Sequence, residues 1–376
     1  MNPKYKDLFQ PLTLNNGVEL RNRFVLAPLT HISSNEDGTI ADREIPYMES
    51  RSKDVGMSIT AATYVTELGQ AFPGQPSIAR DSDIEGLKRL AAVMKKNGAK
   101  AIVQIHHGGV QALPEYTPDG DVAGPSAMEL KSFGQKHTHS AREITADEIE
   151  ETIKAFGEAT RRAIEAGFDG VEIHGANGYI IHQFVSPHFN KRTDQWKDPF
   201  LFATKVVDEV VNTVKQHGND HFIIGYRFSP EEAYNPGIKM ELTEQLIKSL
   251  IEKPLHYLHA SLMHIHGDVH EGKYAGQNRI ELLHKWVDGR VPLIGIGSIF
   301  TADDAIEALN TGVELIAVGR ELLLDHAFVG KIKEGRQDEI ISYFDLHDPN
   351  KHELPEPLWQ QFKAGFYPLP SKEDSE

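Results

Sequence analysis

The chain has 376 residues, 40% apolar and 25% charged, which excludes wholesale disorder and gives ample material for a core. Thirty-nine basic against 55 acidic residues leave a net charge of −16, which opposes broad attraction to nucleic-acid phosphates or anionic lipid surfaces. Cysteine is absent, which excludes disulfides, thiolate zinc sites, cysteine-ligated iron–sulfur clusters and cysteine nucleophiles, and fits a reducing compartment.

The amino-terminal stretch carries no apolar block of signal-peptide length, and no apolar run approaches the ~20 residues of a membrane span. The expectation is a cytoplasmic protein with neither membrane nor nucleic acid as partner. Residues Pro11–Phe24 read as a hairpin around Asn15-Asn16-Gly17, a candidate plug for the bottom of a barrel. Strands are predicted at Arg23–Leu29, Met57–Val65, Lys100–His106, Gly170–His174, Phe222–Phe228, His256–Leu262, Pro292–Ile296 and Leu315–Val318. Between them lie helical patterns such as Asp83–Asn97, Asp147–Ala166, Pro199–Gln216, Glu241–Ile251 and Ala302–Asn310, several closed by glycine. Strand and helix in alternation, with no linker dividing the chain, predict a single α/β domain of (β/α)8 TIM-barrel type. Such a barrel takes about 250 residues. The surplus falls in the hairpin, an excursion over Gly108–Ala146, and an extension over 336–376 that packs on the barrel or reaches a neighbouring subunit. Homo-oligomerisation stays open, and Ser371–Glu376 are expected to be disordered.

Barrel chemistry gathers at the carboxyl ends of the strands. After the seventh strand comes Gly297-Ser298, and after the eighth Gly319-Arg320. Those two loops commonly bind a phosphate through backbone N–H groups; the alternative is that the glycines only turn the chain. Gly295-Ile296-Gly297 does not make a dinucleotide fingerprint, because Phe300 stands where the third glycine belongs. His174, Asn177 and Tyr179 follow the fourth strand: two hydrogen-bond donors for one ligand oxygen, with a phenol beside them able to deliver a proton. Arg227 ends an apolar strand and is expected to face an anionic partner. Gln104 either presents its amide to a heterocycle or is a hydrogen-bonded core glutamine. The histidines 106, 107, 256, 259, 264, 266 and 270 cluster near two strand ends, so a metal-dependent barrel lyase or hydrolase is the rival reading, although no metal ligand set is assigned.

At Leu20–Phe24, Ala27–Thr30, Val103–Gly109, Ala166–Tyr179, His182–Pro187, Asn190–Asp194, Tyr226–Glu232 and Val318–Leu322 the sequence resembles the Old Yellow Enzyme family, most closely its bacterial NADH-dependent flavin oxidoreductase branch. The resemblance implies FMN as cofactor, NADH or NADPH as hydride donor, and a small electrophile such as a carbonyl- or nitro-conjugated alkene as substrate, reduced in a ping-pong cycle. It implies that residues 1–335 form the FMN-binding barrel. Pro28, Thr30, Ala62, Gln104 and Arg227 are then expected against the isoalloxazine ring, and Ser298, Gly319 and Arg320 around the phosphate. His174 and Asn177 are expected to bind the substrate oxygen, and Tyr179 to donate the proton. A non-catalytic FMN-binding protein is a further alternative, against which the His174, Asn177 and Tyr179 set argues. The sequence departs from the family at Thr193–Pro199, where relatives carry an aromatic residue and two glycines, and at Thr30, where some carry cysteine.

Overall fold

The computed structural model describes residues 1–132, 135–348, 350–365 and 369–370. Short β-branched and aliphatic runs form eight parallel strands: β1 (Phe24–Leu26), β2 (Met57–Ile59), β3 (Lys100–His106), β4 (Gly170–Gly175), β5 (Ile223–Phe228), β6 (Tyr257–Ala260), β7 (Leu293–Ile296) and β8 (Leu315–Val318). They pair in chain order, and β8 pairs with β1, so the sheet closes without an edge. Parallel neighbours require crossovers. The seven crossovers carry α1 (Glu44–Ser52), α2 (Ile84–Lys95), α3 (Ala146–Glu165), α4 (Leu201–His217), α5 (Met240–Leu250), α6 (Arg279–Val287) and α7 (Ala302–Leu309), and α8 (Phe328–Glu334) follows β8. The expected (β/α)8 barrel is therefore the observed fold. Capping boxes at Thr145/Glu148 and Thr301/Asp304 start α3 and α7 by satisfying amide donors the first turn leaves open.

Strand side chains alternate between the helix-facing layer and the barrel interior. Val25, Met57, Ile102, Ile223, Tyr257, Ile294 and Leu315 fill the lower interior and pack on Leu14, Val18 and Leu20 of the hairpin, which closes that end. The hairpin pairs Leu12 with Leu20 and turns at Gly17 (φ +81°), as its sequence predicts. Gly225 has to be glycine, since a Cβ there would stand 2.0 Å from the Tyr257 ring. The predicted second strand, Met57–Val65, is broken: after β2 the chain leaves the sheet and returns as Thr63–Tyr64 against the top of β3. At the break Thr60 N still donates to Ile102 O (3.0 Å), while its hydroxyl bonds Ala61 O (2.9 Å) and accepts from Gln104 N (3.0 Å) where a strand carbonyl would.

The excursion after β3 forms a small sheet of Ala123–Gly124, Met128–Leu130 and His139–Glu143. Arg142 bonds Asp121 within the excursion and Glu148 on α3, each at 2.7 Å. The carboxyl-terminal extension packs on the barrel: Phe344, Leu358, Trp359 and Phe362 join its core, and Arg51 donates to His352 O at 2.7 Å. The stretch Ser371–Glu376 lies outside the described residues.

Candidate active site

A cavity of about 570 Å³ opens at the carboxyl ends of the strands. Pro28, Thr30, Ala62, Gln104, His174, Asn177, Tyr179, Arg227, Ser298, Gly319 and Arg320 all line it, so every candidate site residue taken from the sequence falls in one place. Ser261, Leu262, Met263, Phe72 and Phe300 complete the wall. Among the described residues, the excursion after β3 contributes nothing to the lining.

One end of the cavity gathers Gly297, Ser298, Gly319 and Arg320. Gly297 (φ +128°) and Ser298 (φ +56°) turn the chain tightly after β7, and Gly319 caps the short helix Arg320–Leu324 after β8. The Arg320 guanidinium donates to Ser298 Oγ (3.1 Å) and lies over the Phe300 ring (4.9 Å), which fixes its direction. Ser298 Oγ also bonds Met263 O (3.0 Å) and His264 Nδ1 (2.7 Å), joining the loops after β6 and β7. A cation, a hydroxyl and glycine-flanked backbone suit a phosphomonoester.

At the other end, Gln104 and Arg227 rise from β3 and β5. Gln104 Nε2 donates to the buried Glu172 (2.8 Å), and Arg227 Nη2 donates to Ser261 Oγ (3.2 Å). Among the described residues the cavity lining contains no carboxylate, and Arg227 is the buried guanidinium at this end. These donor sets at the two ends fit a phosphorylated planar heterocycle such as FMN.

Between the ends lie His174, Asn177 and Tyr179. Ala176 N donates to His174 Nδ1 (3.3 Å), so the neutral ring carries its proton on Nε2. Burial, then the nearby His106 and Arg227, hold its pKa well below the usual histidine value, which keeps it an uncharged donor. Asn177 sits in the left-handed region (φ +60°), where a short polar side chain is tolerated. Its Oδ1 accepts from Ser261 Oγ (2.9 Å) and Ser229 Oγ (3.4 Å), which fixes the orientation of the amide. The Tyr179 ring stands 5.1 Å from His174 and 4.3 Å from His106, edge to face in both cases.

Four of the clustered histidines are engaged separately. His107 accepts from Gly109 N (3.0 Å), His256 from Ile224 N (2.8 Å), His259 bonds Glu172 (2.9 Å) and His264 bonds Ser298. Among the described residues, no three His, Asp or Glu groups gather as a metal site. His31 pairs with Glu44 (3.2 Å) outside the lining. Sequence reasoning missed Ser229 and Ser261, which set Asn177. Their positions just beyond β5 and β6 were the available signal. Among the described residues no helix is long and apolar enough to cross a membrane.

A sequence profile of the NADH:flavin oxidoreductase / NADH oxidase family matches residues 7–339. The chain is 50% identical over 364 residues to the probable NADH-dependent flavin oxidoreductase YqiG of Bacillus subtilis (strain 168), covering 96% of each. It is 36% identical to the NADH:fumarate oxidoreductase of Klebsiella pneumoniae (strain 342), over 94% of this chain but 38% of that longer protein. Among solved structures, the Old Yellow Enzyme homologue from Zymomonas mobilis superposes with a TM-score of 0.77 at 21% identity, over 92% of this chain and 98% of that one. Morphinone reductase gives 0.75 at 24%, over 92% of each. At those identities the two structures speak for the fold.

Proposed function

The chain belongs to the NADH:flavin oxidoreductase / NADH oxidase family, whose Old Yellow Enzyme members are FMN-dependent oxidoreductases, and from that premise we propose that it reduces carbonyl- or nitro-conjugated alkenes in a ping-pong cycle. The observation that carries the reading is one cavity with an anion cradle at one end, Arg227 and Gln104 at the other, and a neutral donor pair beside a phenol between them. When bound, FMN supplies the two-electron chemistry, accepting hydride from NADH or NADPH and passing it to the electrophile.

The chain's own residues do the rest. Ser298, Gly319 and Arg320 hold the phosphate. Pro28, Thr30 and Ala62 flank the ring, Gln104 meets its pyrimidine edge, and Arg227 offers fixed positive charge where negative charge accumulates. His174 Nε2 and Asn177 Nδ2 donate to the carbonyl or nitro oxygen and stabilise charge developing there, while Tyr179 delivers its phenolic proton to the α-carbon. A cavity of about 570 Å³ is the size of a cleft for one ligand beside a cofactor, so nicotinamide and alkene take turns.

Anaerobic rapid mixing tests this. NADH or NADPH alone should bleach the flavin absorbance, and a cyclic enone added afterwards should restore it. Initial-rate plots that intersect as in a ternary complex, or a reduced flavin that no activated alkene reoxidises, would contradict the proposal.

A further inference from the structure

Most of the barrel interior is aliphatic, as close packing of such barrels requires. One level departs from this. Glu172, on β4, is fully buried; its Oε1 accepts from Gln104 Nε2 (2.8 Å) and its Oε2 from the Tyr257 hydroxyl (3.0 Å) and His259 Nδ1 (2.9 Å). Strand register sets Glu172 beside Gln104 of β3 and one inward step below the paired His174 and Arg227. A buried carboxylate with its partners adds little to stability over an apolar filling, so this level calls for another explanation. The proposed function uses Gln104 and Arg227 and leaves Glu172 without a task.

The charges at this level follow from the packing. Burial opposes ionisation of Glu172, but His259, Arg227 and the Gln104 amide outweigh it and hold the carboxyl below its usual range. Burial keeps His259, His174 and His106 on the neutral side. Tyr257, pushed well above the usual phenol value by burial and then by Glu172, stays protonated. Arg227, a guanidinium that stays charged, acts on Glu172 from β5.

Resting on the FMN reading above, we propose that Glu172 is a positioning residue that sets the reduction potential of the bound flavin, by fixing the Gln104 amide and by offsetting the positive charge of Arg227. Hydride transfer moves two electrons and one proton from the nicotinamide, which is left oxidised, and leaves the ring with one added negative charge. Glu172 neither gains nor loses a proton in that step. Its fixed negative charge opposes the new one, so the flavin is harder to reduce than Arg227 alone would make it.

The test is the midpoint potential of the purified holoenzyme, measured against a reference dye under anaerobic conditions. Glu172→Gln keeps the size and one acceptor oxygen, turns the other oxygen into a donor and removes the charge, and should favour the reduced state about tenfold, ~30 mV for a two-electron couple. Glu172→Asp, which restores the charge, should recover most of the wild-type potential. A Glu172→Gln holoenzyme with the wild-type potential would overturn the inference and leave the FMN reading intact. A wild-type protein that binds no FMN would overturn both.

Should Glu172→Gln fail to fold, reduced-minus-oxidised infrared spectra of wild-type holoenzyme labelled with ¹³C-glutamate decide the question. A displaced glutamate carboxylate band supports the inference, because among the described residues the cavity wall itself contains no glutamate. Absence of any glutamate band overturns it.

Discussion

Replacing Asn177 separates what its side chain does from what its backbone requires. The residue holds φ +60°, and its Oδ1 is taken by Ser261 and Ser229, so only the Nδ2 donors are left for substrate. Asn177→Ala removes those donors and puts a Cβ-bearing residue with no local hydrogen bond in the left-handed region, at about 1 kcal/mol. For a chain of this length that is a fall in Tm on the order of 1–2 °C. Asn177→Gly removes the same donors without the backbone cost. Deleting one of two donors to a developing oxyanion typically costs about 10²- to 10³-fold. Both variants should therefore lose at least about 10²-fold in the oxidative half-reaction with a cyclic enone, and both lose the bonds from Ser261 and Ser229, while the alanine variant melts earlier than the glycine variant. Stopped-flow reoxidation of the pre-reduced enzyme and thermal melts measure the two effects separately. Wild-type reoxidation in both variants would refute the assignment. A rate that tracked Tm instead of donor loss would show that Asn177 acts only through the backbone.

Tyr179→Phe should leave flavin reduction by nicotinamide unchanged and slow alkene reduction by about 10²- to 10⁴-fold, read from the two half-reactions; equal oxidative rates would remove Tyr179 as the acid. Arg320→Ala removes a charged contact from the phosphate cradle and should weaken FMN binding by about 10- to 100-fold, measured by fluorescence titration of the apoprotein. Burial pushes His107 and His256 down to about 4, whereas in the unfolded chain they titrate near ~6.5. Between those values the unfolded chain binds the extra protons, so their contribution is complete above ~6.5, is lost as pH falls toward about 4, and changes no further below that. Each is worth on the order of 1–3 kcal/mol. His256→Gln, which can still accept from Ile224 N, should flatten the fall of Tm between pH 7 and 4.5; an unchanged slope would show that its protonation is not what destabilises the fold.

The barrel was legible because its evidence is local. Each strand is a short apolar run between turn residues, and α3 and α7 announce themselves with capping boxes. The α1 helix was not legible: Arg43 caps it with no side-chain bond, and Pro46 sits in its first turn. The split of the second strand was hidden for a different reason, since it depends on Thr60 meeting Gln104 N across the sheet, a contact between residues far apart in sequence. The same limit applied at the site. Residues at strand ends could be listed from sequence, because a barrel gathers those ends at one mouth. What fixes their protons and directions could not. The tautomer of His174 depends on Ala176 N, and the orientation of Asn177 on serines beyond β5 and β6. The histidine cluster that suggested a metal in sequence disperses in space to unrelated partners.

The most direct test of the account is a crystal structure of the protein with FMN. The account predicts the ring in the barrel mouth with Gln104 and Arg227 at its pyrimidine edge and the phosphate on Ser298, Gly319 and Arg320. A map with FMN bound elsewhere, or with this cavity vacant at saturating FMN, would contradict it.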